Sequence, residues 1–283
     1  MPFGMIDSLF NALIFLFWFR IWFQPGERPF AVNPYLNRAG YYADSLIRFL
    51  RPVCFGLPAT LISLVAVCFL LAFRAVMLPA TVHWSLRVGF EYAQARPDNL
   101  AECLFMSFLS FLLFLFNLWA LTLIYAWNDR AATFRRTSKT LFILSRPLTG
   151  IPQSIRPVAL LVLGTLLAAG ARTIALGGSI PAWTPAVITQ LGLSALTAWV
   201  NVIPLLQQFV IALIVGSWVS TFGGSSDLLS VCREWLDLLL GPVRRFPLRI
   251  GMLDLTPLIF LFGLGALYLF LMSLLAGLYN PLS

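Results

Sequence analysis

Charge is what this sequence has least of. Asp, Glu, Lys and Arg make up 11% of the 283 residues, and lysine occurs once. An ordinary soluble domain is roughly 25% charged. A chain that is 60% hydrophobic could not cover a water-facing surface with so few charges. Disorder is excluded on the same ground, because disordered segments are polar and rich in charge. The surplus apolar surface needs lipid as its solvent.

Histidine is scarce too. His83 is the single one, and a b-type haem ordinarily takes two axial ligands, so the chain makes a poor cytochrome on its own. His83 reads as an interfacial or structural residue near the outer end of a span. The four cysteines, Cys54, Cys68, Cys103 and Cys232, form no CxxC pair and no disulfide framework. They read as small apolar residues in or beside helices. HExxH, P-loop and GxSxG patterns are absent. Asp44, Asp129, Asp227 and Asp237 fall in connections, which argues against proteolysis by paired intramembrane aspartates. No enzyme activity, cofactor or metal is expected. The N-terminus lacks a basic n-region and a clean A-x-A cleavage site, so its first apolar run reads as a retained anchor.

What is present is apolar length. A helix rises 1.5 Å per residue, so crossing a ~30 Å hydrocarbon core takes about 20 residues. Six runs qualify: Ile6–Phe23, Leu57–Leu78, Leu100–Trp127, Pro157–Leu176, Leu196–Val219 and Pro257–Leu278. They are continuously apolar rather than alternating, which predicts an all-α transmembrane fold. Pro204 is expected to kink the fifth or to mark where an interfacial helix bends into it.

The net charge of +8 then acquires an address. Fifteen of the 19 basic residues lie in the connections after spans one, three and five or in their flanks; Arg74, Arg87, Arg96 and Arg172 are the others. The positive-inside rule places those three connections in the cytoplasm and both termini outside, in a bacterial-type inner membrane. Nucleic acid is not directly indicated.

The connections also repeat. Pro52, Pro147 and Pro242 are 95 residues apart both times, and Leu46, Leu141 and Leu236 each precede their proline by six. Each proline is followed by another helix-starting proline and a span. The chain therefore divides into hairpin units 1–95, 96–185 and 186–283, parallel repeats within one membrane domain. A pseudo-threefold bundle is the simplest arrangement. Amphipathic interfacial helices are expected in the connections. In unit three Leu228, Cys232, Trp235 and Leu239 share a face, and Asp227, Glu234 and Asp237 share another. In unit one Asp44, Arg48 and Arg51 form a polar stripe, with Ile47 and Leu50 opposite.

The third unit carries Pro242, Arg244, Arg245, Pro247, Gly251, Asp254, Thr256 and Pro257 before an apolar span. This resembles the signature of the YggT (YlmG) family: proline, basic pair, proline, then Gly-x-x-Asp-x-Ser-Pro, with Thr256 at the serine position. The resemblance covers about the last third of the chain. Units one and two keep the prolines but lack the Asp-x-Ser/Thr-Pro element. The resemblance implies a small integral membrane protein without an established reaction. It further implies links to assembly of a haem-bearing cytochrome b subunit, to nucleoid or division-site organisation, or to ion and osmotic homeostasis.

Two readings follow. One is a non-enzymatic scaffold or assembly factor for another membrane complex. The other is a channel or transporter for ions or small solutes, which would need polar groups at membrane depth. The candidates are Asn11, Asn117, Asn201, Gln207, Gln208, Arg74 and Arg172. Asn117 and Gln208 each lie ten residues before a tryptophan and read as equivalent positions. Interhelical hydrogen bonds are the simpler use for the amides, and snorkelling to the interface is the simpler use for Arg74 and Arg172. Arg244, Arg245 and Arg249 read as topogenic charge, as an anionic-lipid site, or as a partner-docking site with Asp254 fixing the turn.

Overall fold

The structure is a computed structural model describing residues 2–22, 34–81, 84–128, 140–141, 143–180, 183–223, 226–240, 249–250, 253–254 and 256–280. It is mostly helical. In order, the helices are α1 (Pro2–Ile21), α2 (Pro34–Leu50), α3 (Ala59–Thr81), α4 (Leu100–Asn128), α5 (Arg156–Ala175), α6 (Pro185–Val200), α7 (Val202–Gly223), α8 (Ser226–Leu240) and α9 (Thr256–Tyr279). Continuous apolar runs become helices because lipid offers no partner for a backbone N–H or C=O, and a helix satisfies both internally.

Among the described residues, five stretches are long and apolar enough to cross a membrane: Ala59–Pro79, Leu100–Tyr125, Arg156–Ala175, Pro185–Ser217 and Thr256–Tyr279. The first expected span coincides with α1, a 20-residue helix that is not among the five. The fifth departs from expectation at its start. It begins at Pro185 rather than Leu196, with the Thr184 hydroxyl accepting from Val187 N (3.3 Å) as an N-cap. Gln190, Ser194 and Thr197 dilute its hydropathy in the sequence, yet all three are buried between helices. The helix breaks at Asn201, just before α7. Pro204 causes the break: it brings no N–H, and its ring crowds the carbonyl four residues back, that of Val200.

The expectation of an all-α fold needs correcting. Two short antiparallel pairs interrupt the helices. β1 (Ser85–Val88) pairs with β2 (Glu91–Gln94), and β3 (Arg249–Ile250) with β4 (Leu253–Asp254). The first pair alternates, with Leu86, Val88 and Ala93 buried and Ser85, Arg87 and Tyr92 outward. It turns on Gly89, whose φ of +62° favours glycine. A Cβ there would meet the Ser194 carbonyl oxygen at 2.0 Å, so the turn lies directly on the α6 backbone.

The helices pack mainly on their sequence neighbours: α1 on α3, α3 on α4, α4 on α5, α5 on α6, and α9 along both α6 and α7. Among the described residues α9 makes no extensive contact with α1 or α3. The arrangement is an open row with α4 central, not a closed threefold ring. α4 is half-buried by its neighbours, whereas α9 is almost wholly exposed.

The two amphipathic connections are used differently. In α8 the apolar face (Cys232, Trp235, Leu236, Leu239) is covered by protein. Trp235 meets Tyr125 of α4 at 5.0 Å and Phe209 of α7 at 5.7 Å, ring to ring. Burial pushes the Cys232 thiol up, in keeping with a packing role. Leu228 and Asp227 have side chains outside the described residues. In α2, Ala43 and Ile47 face inward, and Asp44 faces Arg20 of α1 at 2.6 Å instead of joining a solvated stripe. Tyr41, Tyr42, Leu46 and Phe49 face outward.

Candidate functional site

Polar side chains at membrane depth gather into two arginine-centred junctions. The first joins three helices. Arg74 of α3 is fully buried. Its Nε donates to Ser107 Oγ of α4 (3.0 Å), Nη1 donates to Asn11 Oδ1 of α1 (2.6 Å), and Nη2 donates to the Ser107 carbonyl. Asp7 of α1 lies 3.5 Å away as counter-charge. Its other oxygen accepts from Ser110 Oγ (3.0 Å) and Asn11 Nδ2 (3.3 Å). The Ser107 hydroxyl donates onward to the Leu71 carbonyl (2.7 Å), and the Trp84 ring covers the guanidinium at 5.6 Å. Arg74 therefore does not snorkel. Asp7 and Asn11 supply acceptors more than 60 residues away in sequence, and the planar fork reaches all of them at once.

The second junction joins four elements. Arg172 of α5 donates to Gln190 Oε1 of α6 (2.6 Å) and pairs with Glu91 of β2 (3.6 Å). Tyr279 at the end of α9 donates to the same Glu91 oxygen (3.5 Å), and its ring lies 4.4 Å from that of Phe90. Burial raises the Glu91 carboxyl above its usual range, with Arg172 and the Tyr279 hydroxyl pulling it partly back. Arg74 and Arg172 lie sixteen and fifteen residues after Pro58 and Pro157, which stand at the starts of α3 and α5.

Two further amides tie α9 to its neighbour. Gln207 donates to the Leu261 carbonyl (3.0 Å), and Asn201 accepts from the Tyr268 hydroxyl (3.4 Å). Asn117 is half-buried in α4, while Gln208 is exposed and Gln207 beside it turns inward.

Arg244, Arg245, Pro242 and Pro247 are outside the described residues, as is His83. Arg249 and Asp254 stand opposite each other in the register of β3 and β4. Such directly opposed positions favour opposite charges. Thr256 is buried at the first position of α9, with Pro257 following in the first turn, where a missing N–H costs nothing. Pro52 is exposed in the turn after α2, and Pro147 is half-buried just before a short 3-10 turn, Leu148–Gly150.

The β1–β2 hairpin and the acids Asp7 and Glu91 are functional-looking elements that sequence reasoning missed. The hairpin had a signal, alternation on both sides of a glycine. The pairing of Asp7 with Arg74 had none, because it depends on which helices become neighbours.

No curated protein and no solved structure matches the chain. The CCB3/YggT family model matches residues 193–275. That stretch runs from the second half of α6 through α7, α8 and the signature hairpin into α9. Residues 193–275 are thus similar to the CCB3/YggT family, and the apolar helices around them are those of a membrane protein.

Proposed function

We propose that the protein is a non-enzymatic scaffold that helps organise or assemble another membrane complex. In this reading α1 is a sixth span, and the units 1–95, 96–185 and 186–283 are parallel repeats. The membrane is a bacterial-type inner membrane, with both termini outside and the basic connections cytoplasmic. What carries the reading is the use made of the polar side chains at membrane depth. Arg74, Asp7, Asn11, Arg172, Gln190, Gln207 and Asn201 each bind across to another helix or to the β1–β2 hairpin. Groups spent in this way hold a frame rigid and are not presented to a moving solute. A frame whose last helix, α9, is left almost bare has surface to offer a partner in the bilayer.

The test is purification of the full chain in mild detergent from its native membrane, with a cytochrome-containing complex sought first because of the family resemblance. Stable co-purification without ion flux in proteoliposomes supports the scaffold. Ion or solute flux by the purified chain alone would overturn it.

A further inference from the structure

A cavity of about 430 Å³ lies between α1, α2 and the start of α3. Its polar wall is Arg20, Arg48 and Arg51 with Asp44; its floor is Ile47, Pro58 and Ile62. Asp44 is already engaged by Arg20 at 2.6 Å. Arg48 directs its Nε to the backbone carbonyl of Asp44 (3.4 Å) and stands over the Tyr41 ring. The described lining thus holds three guanidinium groups against one carboxylate, which Arg20 already pairs, beside an apolar floor.

The surroundings say what kind of anion fits. Below the cavity mouth, Pro58, Leu61, Val65, Phe69 and Val76 form one stripe along α3, all of them exposed. Their spacing of three, seven, eleven and eighteen residues from Pro58 keeps them on a single helix face. α3 is one of the five helices able to cross the membrane. Beside the mouth, Phe49, Val53 and Phe55 are also exposed, Phe55 by 98%. Water is a poor solvent for such a rim, and the headgroup–hydrocarbon boundary is a good one.

We propose that this cavity is a binding site for a phospholipid with an anionic headgroup. The phosphate sits among Arg48, Arg51 and the Arg20–Asp44 pair, and an acyl chain lies along the α3 stripe. Guanidinium forks suit phosphate oxygens, which accept two parallel N–H bonds. The site is distinct from the Arg244, Arg245 and Arg249 cluster and does not rest on the scaffold reading.

The experiment measures binding of a fluorescent short-chain phosphatidylglycerol to the full-length protein in mild detergent. Phosphatidylcholine and inorganic phosphate serve as comparison ligands. The wild-type chain is expected to bind phosphatidylglycerol in preference to phosphatidylcholine. Arg48→Gln with Arg51→Gln should weaken phosphatidylglycerol on the order of tenfold and leave phosphatidylcholine unchanged. Arg48→Lys with Arg51→Lys should retain most of the binding. Both side chains are exposed, so the unfolding midpoint should hold; if it does not, Arg51→Gln alone carries the same test. Unchanged phosphatidylglycerol affinity in the Gln variant overturns the proposal. So does displacement of the lipid by inorganic phosphate at similar concentration, which would make the cavity a free-phosphate site.

Discussion

Arg74→Ala tests whether the first junction holds the fold together. The substitution removes a guanidinium that is 0% exposed. It leaves Asp7 without its counter-charge, and Asn11 Oδ1 and the Ser107 carbonyl without their donor. Breaking a buried charged pair by deleting one partner costs about 3–5 kcal/mol. The Asp7 side chain keeps 26% exposure, so water can reach part of the stranded carboxylate. That favours the lower half of the range, about 3 kcal/mol. Arg74→Lys should lose about half as much, because an ammonium cannot reproduce the fork. Arg74→Leu combined with Asp7→Asn should recover most of the loss, since it removes the stranded charge and refills the space. The assay is reversible unfolding in mixed micelles by SDS titration, followed by tryptophan fluorescence. Trp84 lies against the guanidinium and reports locally. A loss below about 1 kcal/mol for Arg74→Ala would refute the reasoning, because a lone interhelical hydrogen bond costs that much. So would a double change that worsens the single one.

Gly89→Ala should cost at least about 2 kcal/mol, from the positive φ and from collision with the Ser194 carbonyl. Limited proteolysis between residues 84 and 98 would show the hairpin coming off α6. Trp235→Ala opens the aromatic cluster with Tyr125 and Phe209 and should cost about 3–5 kcal/mol. Hydrogen exchange should then rise in α8 before it rises in α4. The raised Glu91 carboxyl has a defined sign. The folded state holds that proton to higher pH than the unfolded chain, so stability falls as pH climbs from the ordinary value of 4.5 through the raised one. Glu91→Gln should flatten this part of the profile, measured as the unfolding midpoint between about pH 4.5 and pH 7.

Much of the frame was legible because lipid imposes simple demands. Long apolar runs had to be helices, and the prolines at 58, 157 and 257 had to stand at helix starts. Pro204 had to disturb its helix, and it does, at Asn201. What misled was polarity read without direction. Gln190 and Ser194 kept the expected fifth span from starting before Leu196, although both side chains are buried. Arg74 looked like a residue reaching for the interface. Asp44 looked solvated until Arg20 appeared beside it.

By itself the sequence determined the solvent, the helical class, the approximate span positions and the family that residues 193–275 resemble. These follow from composition, run length and local proline chemistry, which do not depend on neighbours in space. Only the tertiary structure decided that the row stays open at α9, that α8 buries its apolar face while α2 leaves Tyr41, Tyr42, Leu46 and Phe49 outward, and that Arg74 and Arg172 become junctions. Each of these depends on partners 18 or more residues away, such as Asp7 for Arg74 and Gln190 for Arg172. Whether a buried charge is a liability or a fastening is settled by the acceptors that packing brings to it.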